Sequence, residues 1–372
     1  MTLRAQGLNL AALAARGRLR ALTPIAGADF ASNDYLGLAA SGRLAEAARR
    51  ALDRGVAVGS GASRLLRGNH PEHEALEAEA AAFFGSEAAL FFPNGYTANS
   101  ALIATLPQRG DCIFADELVH ASMHEGLRLS RAVHRLVPHN QPQALDEAIA
   151  AWRQCGGTGQ AWIAVESLYS MDGDLAPLSE LAGVAAQHEA MLVVDEAHAT
   201  GVFGPGGRGL VADLPSRENI ITLHTFGKAL GCEGALLCGP ATMREFLVNR
   251  ARGFIFSTAP SPLMAAIARA ALQICEGGEA LRDLLGTRIA LASELLGPFG
   301  AQCHGTPILP LILGEDRRAM AVAGKLQEAG FDVRGIRPPT VPEGTSRLRV
   351  VVTLNAGEAD IRALAAALAE VL

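Results

Sequence analysis

Residues 191–198 read Met-Leu-Val-Val-Asp-Glu-Ala-His, four apolar residues followed at once by two acids, an alanine and an imidazole. Such a run predicts a buried parallel strand whose carboxyl end carries polar groups. In open α/β sheets, ligands bind at the carboxyl ends of the strands. Asp195 and His198 are therefore predicted to belong to a ligand site.

Apolar runs like this one alternate with helical patterns on both sides of it. The runs lie at 88–92, 112–115, 132–137, 161–165, 191–194, 220–223 and 235–238. This alternation predicts an α/β fold with a large, mostly parallel, seven-stranded sheet covered by helices on both faces. From about Pro307 the pattern changes to strand, helix, strand, strand, helix, which indicates a smaller C-terminal α+β lobe.

We divide the chain into three parts on this pattern. Residues 1–40 form an N-terminal helix and short strand, residues 41–285 the large α/β domain, and residues 286–372 the small C-terminal domain. The first 28 residues contain no acid and four arginines, so an organelle-targeting helix must be considered. Because the segment also lacks serine and leads directly into ordered-looking sequence, we expect a surface helix of the mature protein.

Only two of the 32 basic residues are lysines, Lys228 and Lys325. Arginine stays protonated and cannot act as a nucleophilic amine. A desolvated lysine can lose its proton and form an imine with an aldehyde, and pyridoxal 5'-phosphate (PLP) is the cofactor that exploits this best. A GC-rich genome would also deplete lysine, so composition alone leaves both interpretations open.

The spacing of Asp195, His198 and Lys228 favours the cofactor. A carboxylate at a strand end can hold a pyridine nitrogen protonated, and a histidine three residues on can reach the phenolic oxygen of the ring. Lys228 follows Asp195 by 33 positions (228 − 195), which allows one crossover and a second strand before the lysine loop. We therefore predict one site built from adjacent strand ends.

The Asp-Glu-Ala-His tetrapeptide also occurs at the Mg²⁺-binding strand end of helicase-type ATPases. That function requires a Gly-x-x-x-x-Gly-Lys-Ser/Thr phosphate loop. Here Lys228 is followed by Ala229, and Thr222 occupies the position of the first glycine. The sequence therefore argues against the helicase interpretation.

Composition excludes several other classes. The net charge is −6 with no basic run, which argues against a nucleic-acid partner. No apolar segment approaches the ~20 residues that a membrane span needs. The six cysteines form no Cys-x-x-Cys pair, which argues against a zinc site or a disulfide framework and favours a cytoplasmic location. His120 and His124 stand four apart, but no third ligand follows, so no metal is expected.

Six motifs together resemble one family, the α-oxoamine synthases of the fold-type I PLP enzymes. They are Ser-Asn-Asp-Tyr-Leu-Gly at 32–37, Gly-Ser-Gly-Ala-Ser-Arg at 59–64, Ser-Met-Asp-Gly-Asp at 170–174, Asp-Glu-Ala-His at 195–198, Thr-Phe-Gly-Lys at 225–228 and Arg-Pro-Pro-Thr-Val-Pro at 337–342. They occur in the order typical of the family, and the resemblance runs from about Arg20 to Thr353. It implies a fold-type I PLP-dependent transferase that works as a homodimer.

The resemblance implies that these residues hold the cofactor: Gly95, Tyr96, His120, Ser170, Asp195, His198, Thr225, Lys228 and Thr258. Gly95 and Tyr96 precede a predicted helix, whose free N–H groups can bind phosphate; an ordinary helix cap is the alternative. His120 corresponds to the histidine that stacks on the cofactor ring. Thr258 corresponds to a residue that reaches the phosphate of the neighbouring subunit.

The same resemblance implies the catalytic and substrate-binding residues. The catalytic set is Lys228, His120, Asp195 and His198, and the substrate contacts are Arg20, His120, Arg337 and Thr340. Lys228 would act as the base that removes the Cα proton of the amino acid. Arg337 would bind its carboxylate with a planar two-point fork, although a surface salt bridge is the alternative role.

The implied reaction is a PLP-dependent, decarboxylative condensation of an amino acid with an acyl thioester. Residues 68–77 resemble the biotin-pathway branch, which joins L-alanine to pimeloyl-CoA or pimeloyl acyl carrier protein. The rival is the 5-aminolevulinate synthase branch, which shares the motif at 32–37 and uses glycine and succinyl-CoA. A non-catalytic PLP-fold protein is a third interpretation. The chain departs from the family pattern at 231–234 and 259–262.

Overall fold

All seven apolar runs between residues 88 and 238 form strands in the computed structural model, which describes residues 3–372. Numbered in chain order, the strands are β1 (Ala28–Asp29), β2 (Ala88–Phe92), β3 (Cys112–Asp116), β4 (Val133–Val137), β5 (Ala161–Glu166), β6 (Met191–Asp195), β7 (Ile220–Thr225), β8 (Ala235–Gly239), β9 (Ile308–Gly314), β10 (Phe331–Asp332), β11 (Arg334–Ile336) and β12 (Ser346–Val351).

The α-helices are α1 (Arg4–Ala15), α2 (Gly42–Asp53), α3 (Pro71–Phe84), α4 (Gly95–Thr105), α5 (Ala121–Leu129), α6 (Pro142–Gln154), α7 (Leu178–Gln187), α8 (Ala241–Arg250), α9 (Arg252–Ile255), α10 (Pro262–Glu276), α11 (Glu279–Leu296), α12 (Asp316–Glu328) and α13 (Glu358–Val371). The chain divides into two compact units: 36–169 with 175–282, and residues up to 35 with 170–174 and 283–372.

The larger unit contains a seven-stranded sheet in the order β2-β8-β7-β6-β5-β3-β4. Strand β8 is antiparallel to both of its neighbours, β2 and β7, and the other pairs are parallel. Strands β2 and β7 therefore run in the same direction as β6. Their carboxyl ends meet at one edge of the sheet, as predicted from the sequence.

Both faces of this sheet are buried. In β6, Val193 packs into a core with α4, α5 and α8, whereas its neighbours Leu192 and Val194 pack into a second core with α6 and α7. Successive residues of a strand point to opposite faces, so a strand buried on both sides must be apolar throughout. Fully burying each such side chain stabilises the fold by about 1.5–3 kcal/mol.

The smaller unit is built around an antiparallel three-stranded sheet in the order β11-β12-β9. Helices α12 and α13 follow their strands in the predicted strand, helix, strand, strand, helix order, with the two-residue β10 in addition. Strand β1 pairs in parallel with β10, and the N–H of Val351 donates to the carbonyl of Phe30 at 2.9 Å. The segment before residue 36 therefore packs with 283–372, whereas the sequence suggested a separate part at 1–40.

Helix α1 forms within the arginine-containing N-terminal segment, and most of its side chains are exposed. Between residues 3 and 372, the helices are all too short or too polar to span a bilayer.

Candidate active site

A cavity of about 180 Å³ opens at the carboxyl ends of β2, β6 and β7. Seven residues singled out from the sequence line it: Gly95, Tyr96, His120, Asp195, His198, Thr225 and Lys228. The predicted convergence of separate strand ends is thus observed in the larger unit. Five other residues complete the lining: Asn99, Ser122, Glu166, Ala197 and Leu223.

Asp195 is the last residue of β6 and is 5% exposed. One carboxylate oxygen, Oδ1, accepts the backbone N–H of Ala197 at 2.9 Å. The other, Oδ2, accepts the side-chain amide of Asn99 at 2.7 Å. Because each oxygen has its own N–H donor, the carboxylate is held in one orientation where it lines the cavity.

His120 immediately precedes α5 and caps its amino end. Its Nδ1 accepts the backbone N–H of Ser122 at 3.2 Å and is hydrogen bonded to the Ser122 hydroxyl at 2.8 Å. Loss of water around the ring lowers the pKa of His120; the negative charge of Asp195 opposes this shift and the positive charge of Lys228 adds to it. The Tyr96 and His120 rings are packed edge to face, with their centroids 6.3 Å apart.

The amino end of α4 forms another side of the cavity. Asn94 caps this helix by accepting the N–H of Thr97 at 2.8 Å, and Gly95 and Tyr96 form the first turn. The first-turn N–H groups of an α-helix have no partner within the helix and attract anions. The hydroxyl of Thr225, at the end of β7, lies on the same cavity.

Lys228 lies on a short loop between β7 and β8 that is closed by its own hydrogen bonds. Phe226 N–H donates to the Gly234 carbonyl and Cys232 N–H to the Phe226 carbonyl, both at 2.9 Å. Gly231 has a φ of 67°, and a Cβ there would crowd the backbone of Leu38, so glycine is required. The segment at 231–234, where the chain departs from the family pattern, thus forms a tight turn beside Lys228.

Glu196, the second acid of the motif at 195–198, is not among the residues that line the cavity and instead bonds to neighbouring loops. It is fully buried and accepts hydrogen bonds from the Ser167 hydroxyl at 2.9 Å and the Val211 N–H at 2.6 Å. Burial raises the pKa of Glu196 to about 7. This carboxyl group holds the loop that follows β6.

Four of the predicted residues lie in the smaller unit. Arg20 donates to the Thr340 hydroxyl at 2.9 Å, and Arg337 donates to the Leu19 carbonyl at 2.8 Å. Arg337 is 9% exposed and also donates to the Met320 sulfur at 2.8 Å. The backbone carbonyl of Ser170 accepts from Arg349 at 2.6 Å.

Thr258 is exposed and is not among the residues that line the cavity around Lys228. The backbone on its carboxyl side is anchored to the glycine-rich loop at 59–64. Ala259 N–H donates to the Ala62 carbonyl at 2.9 Å, and the Ser60 hydroxyl donates to the Pro260 carbonyl at 2.6 Å. The departure at 259–262 therefore lies in a well-anchored segment.

Sequence reasoning missed Asn99 and Ser122, which are the most deeply buried polar residues among the new lining residues, at 1% and 0% exposure. Asn99 follows Gly95 by four positions and so shares its helix face. An asparagine in a helix that is otherwise apolar on its buried side was the available signal. Nothing in the sequence indicated which strand end that face meets.

Comparison with known proteins now identifies the family. Residues 27–368 match the aminotransferase class I and II family. The chain belongs to this family. Among its relatives, the 8-amino-7-oxononanoate synthase of Geobacter sulfurreducens is 45% identical over 345 residues, covering 91% of this chain and 87% of the relative. The synthase of the same name from Anaeromyxobacter dehalogenans is 43% identical, covering 98% and 95%.

Solved structures of this family share the fold. The 8-amino-7-oxononanoate synthase of Francisella tularensis is 29% identical with a TM-score of 0.78, covering 92% of this chain and 97% of the other. A serine palmitoyltransferase solved with PLP is 25% identical with a TM-score of 0.90, covering 99% and 96%. The predicted fold-type I architecture and the predicted resemblance to α-oxoamine synthases are confirmed.

Proposed function

We propose that the protein is a PLP-dependent 8-amino-7-oxononanoate synthase. It would condense L-alanine with a pimeloyl thioester, carried by coenzyme A or by acyl carrier protein. The observation that carries this proposal is the cavity that joins Lys228, Asp195 and His120, in a chain 45% identical over 345 residues to a synthase of that name.

The residues around the cavity fit PLP. The amino end of α4 supplies N–H donors for the phosphate, and Thr225 lines the same cavity beside it. The Asp195 carboxylate, held by two N–H donors, suits a protonated pyridine nitrogen, and Lys228 supplies the amine. When bound, PLP supplies an electron sink that stabilises negative charge at the Cα of an attached amino acid.

Each cavity residue then has one task. Lys228 removes the Cα proton of alanine and later returns a proton to the product. Asp195 keeps the ring nitrogen protonated, and His120 holds the ring face. The overall reaction forms a bond between the alanine Cα and the thioester carbonyl carbon, breaks the carbon–sulfur bond with release of the thiol, and releases the alanine carboxyl group as CO₂.

The substrate contacts are proposed for the residues of the smaller unit. Arg337 would bind the carboxylate of alanine, because a guanidinium suits two-point recognition of a carboxylate. Its contacts to the Met320 sulfur and the Leu19 carbonyl hold the guanidinium in this structure. Arg20 and Thr340, which are hydrogen bonded to each other at 2.9 Å, would contact the acyl substrate.

We further propose a homodimer in which Thr258 contacts the phosphate of the partner subunit. Its exposure and its position outside the cavity of its own chain support this role. Mixing Lys228→Ala subunits with Thr258→Ala subunits should give heterodimers with more activity than either parent. A fully active monomer at assay concentration would contradict the shared site.

The substrate is tested by incubating the PLP-loaded protein with alanine, glycine and serine against pimeloyl, succinyl and palmitoyl thioesters. Mass spectrometry should detect 8-amino-7-oxononanoate from alanine and a pimeloyl thioester as the main product. Some activity with glycine is expected, because one methyl group in an apolar pocket contributes only ~1–3 kcal/mol. Preference for glycine with the succinyl thioester would instead assign the protein to the 5-aminolevulinate synthase branch.

A further inference from the structure

We propose that Asn99 and Ser122 are positioning residues that join Asp195 to His120 in one hydrogen-bonded chain and thereby keep the His120 proton on Nε2. This inference deepens the proposed function and rests on it for the roles of Asp195 and His120 toward the cofactor. Neither Asn99 nor Ser122 was predicted from the sequence.

The chain of contacts spans three elements of the larger unit. The Asn99 amide nitrogen, on α4, lies 2.7 Å from Oδ2 of Asp195 and 3.0 Å from Oγ of Ser122. Oγ of Ser122, on α5, lies 2.8 Å from Nδ1 of His120. The Asn99, Ser122 and Asp195 side chains are buried, so water does not compete for the two bonds that Asn99 donates.

The direction of every bond follows from the chemistry of the groups. A carboxylate only accepts, so Asn99 must turn its NH₂ group toward Asp195. The same NH₂ group donates to Ser122 Oγ, so the Ser122 hydroxyl proton is free to donate to His120 when Nδ1 is unprotonated. The backbone N–H of Ser122 can also only donate, and it too lies 3.2 Å from Nδ1. Nδ1 is therefore unprotonated, and the neutral ring carries its proton on Nε2.

This orientation of the Asn99 amide leaves its own oxygen without a hydrogen bond in the described part of the chain. Its Oδ1 is buried and has no hydrogen-bond partner among residues 3–372. Reversing the amide would place that oxygen against Asp195 at hydrogen-bond distance, where two acceptors repel. An unpartnered buried acceptor is rare and calls for an explanation. Here the explanation is that orienting Asp195 takes precedence over satisfying Oδ1.

The packing of α4 against α5 keeps the chain in register. The Ser100 hydroxyl donates to the backbone carbonyl of Ser122 at 3.1 Å. Gly126 of α5 lies so close to α4 that an added Cβ would be 2.6 Å from Cβ of Ile103. The two positioning residues therefore lie on helices that have a fixed separation.

The chain of hydrogen bonds affects the charge of the His120 ring. Asp195 and Lys228 are the charged groups that act on His120 from within the cavity, and His124 acts on it from α5. The bonds to Nδ1 favour a neutral His120 imidazole in the cavity that Asp195 and Lys228 also line. A neutral ring can lie against a protonated pyridine ring without like-charge repulsion.

The decisive measurement is nitrogen NMR of the His120 ring in the full-length protein without cofactor, assigned with a His120→Gln variant. We expect an unprotonated Nδ1 and a protonated Nε2 at neutral pH. In Asn99→Ala the His120 Nδ1 resonance should move, although Asn99 does not contact His120. The matched control is Asn219→Ala, which removes one hydrogen bond from a side-chain amide to the Ala190 carbonyl. In this control the His120 Nδ1 resonance should not move.

A protonated Nδ1 in the unaltered protein would overturn the inference, whether or not Asn99→Ala folds. An Nδ1 resonance unaffected by Asn99→Ala would equally overturn it. With PLP labelled at its ring nitrogen, Asn99→Ala should shift that resonance toward the unprotonated form and weaken PLP binding by about 10- to 100-fold, the range typical of residues that orient a primary contact.

These readouts separate the inference from the proposed function. None of them requires alanine or an acyl thioester, so failure to form 8-amino-7-oxononanoate would overturn the substrate assignment alone. Failure to bind PLP would overturn the proposed function, and the His120 resonance without cofactor would still decide whether the chain of bonds exists.

Discussion

The Arg64 guanidinium forms a buried two-point ion pair with the Glu77 carboxylate, at N–O distances of 2.8 and 3.1 Å. Arg64 closes the glycine-rich motif at 59–64, and Glu77 lies on α3. Glu77 also accepts the backbone N–H of Phe91 in β2 at 3.0 Å, and Arg64 donates to Asn69 at 2.7 Å. Two motifs recognised separately in the sequence are thus one structural unit.

Replacing Glu77 by Gln should destabilise the protein by about 3–5 kcal/mol, because it leaves the Arg64 guanidinium buried without a counter-charge. The matched control is Glu46→Gln, which breaks exposed pairs with Arg49 and Arg50 on α2 and should cost at most about 1 kcal/mol. Urea unfolding of both variants measures the difference. Equal losses would show that the buried pair contributes nothing special.

Gly126→Ala should destabilise the larger unit by about 1–3 kcal/mol, because its Cβ would overlap Ile103 and force α4 and α5 apart. The control Gly183→Ala lies on α7 with open space around it, so the better helix propensity of alanine should raise stability by about 0.5–1 kcal/mol. Thermal unfolding distinguishes the opposite signs. A stabilising Gly126→Ala would contradict the close helix contact.

His224 should make stability depend on pH. Its nitrogens are each bonded at 2.8 Å to a threonine hydroxyl, of Thr200 and Thr222, and its ring stacks on Phe84. Burial lowers the pKa of His224 from 6.5 to about 3. In the unfolded chain, His224 therefore binds a proton as the pH falls through about 6.5. In the folded protein it binds that proton only as the pH falls through about 3.

The contribution of neutral His224 is thus complete above pH 6.5 and is lost as the pH falls from 6.5 toward 3, by up to about 1.4 kcal/mol per pH unit. We expect unfolding free energies measured between pH 7 and pH 4 to fall more steeply for the unaltered protein than for His224→Asn. Parallel slopes would show that another group governs this range.

Lys228→Ala should lower turnover by at least about 10²- to 10⁴-fold, the contribution of a positioned general base, while PLP still binds through its phosphate. Lys325→Ala removes the other lysine, on α12, and should leave turnover unchanged. Borohydride reduction of the PLP-loaded protein followed by peptide mapping should locate the pyridoxyl group on Lys228. A label on Lys325 would overturn the assignment.

The sheet was predictable from the sequence because its strands are buried on both faces. The run at 191–194 became Met191–Asp195, and that at 220–223 became Ile220–Thr225, each extended only by polar residues at its carboxyl end. Of those polar residues, Asp195 and Thr225 line the cavity, whereas His224 is buried and is not among the lining residues. Because a strand buried on both faces must be apolar along its length, its polar functional residues lie at its end. There they can be recognised in the sequence as the first polar residues after an apolar run.

The partners of those residues were not predictable in the same way. Asn99 precedes Asp195 by 96 positions and belongs to a different element, so neither periodicity nor spacing relates the two. The pairing of β1 with β10 joins residues 28 and 331, and it too has no local signal. Such contacts depend on how closely helices and strands pack. Glycines such as Gly126 allow a close approach because they have no side chain at the contact.

The sequence by itself determined the order of strands and helices and the residues at the strand ends, because burial dictates apolar periodicity and the chemistry of lysine, carboxylate and imidazole is local to each side chain. Only the tertiary structure decided that Asn99 and Ser122 connect Asp195 with His120, and that Glu196 holds a loop instead of facing the cavity. Hydrogen-bond direction depends on distances of a few tenths of an ångström between distant segments, and packing sets those distances.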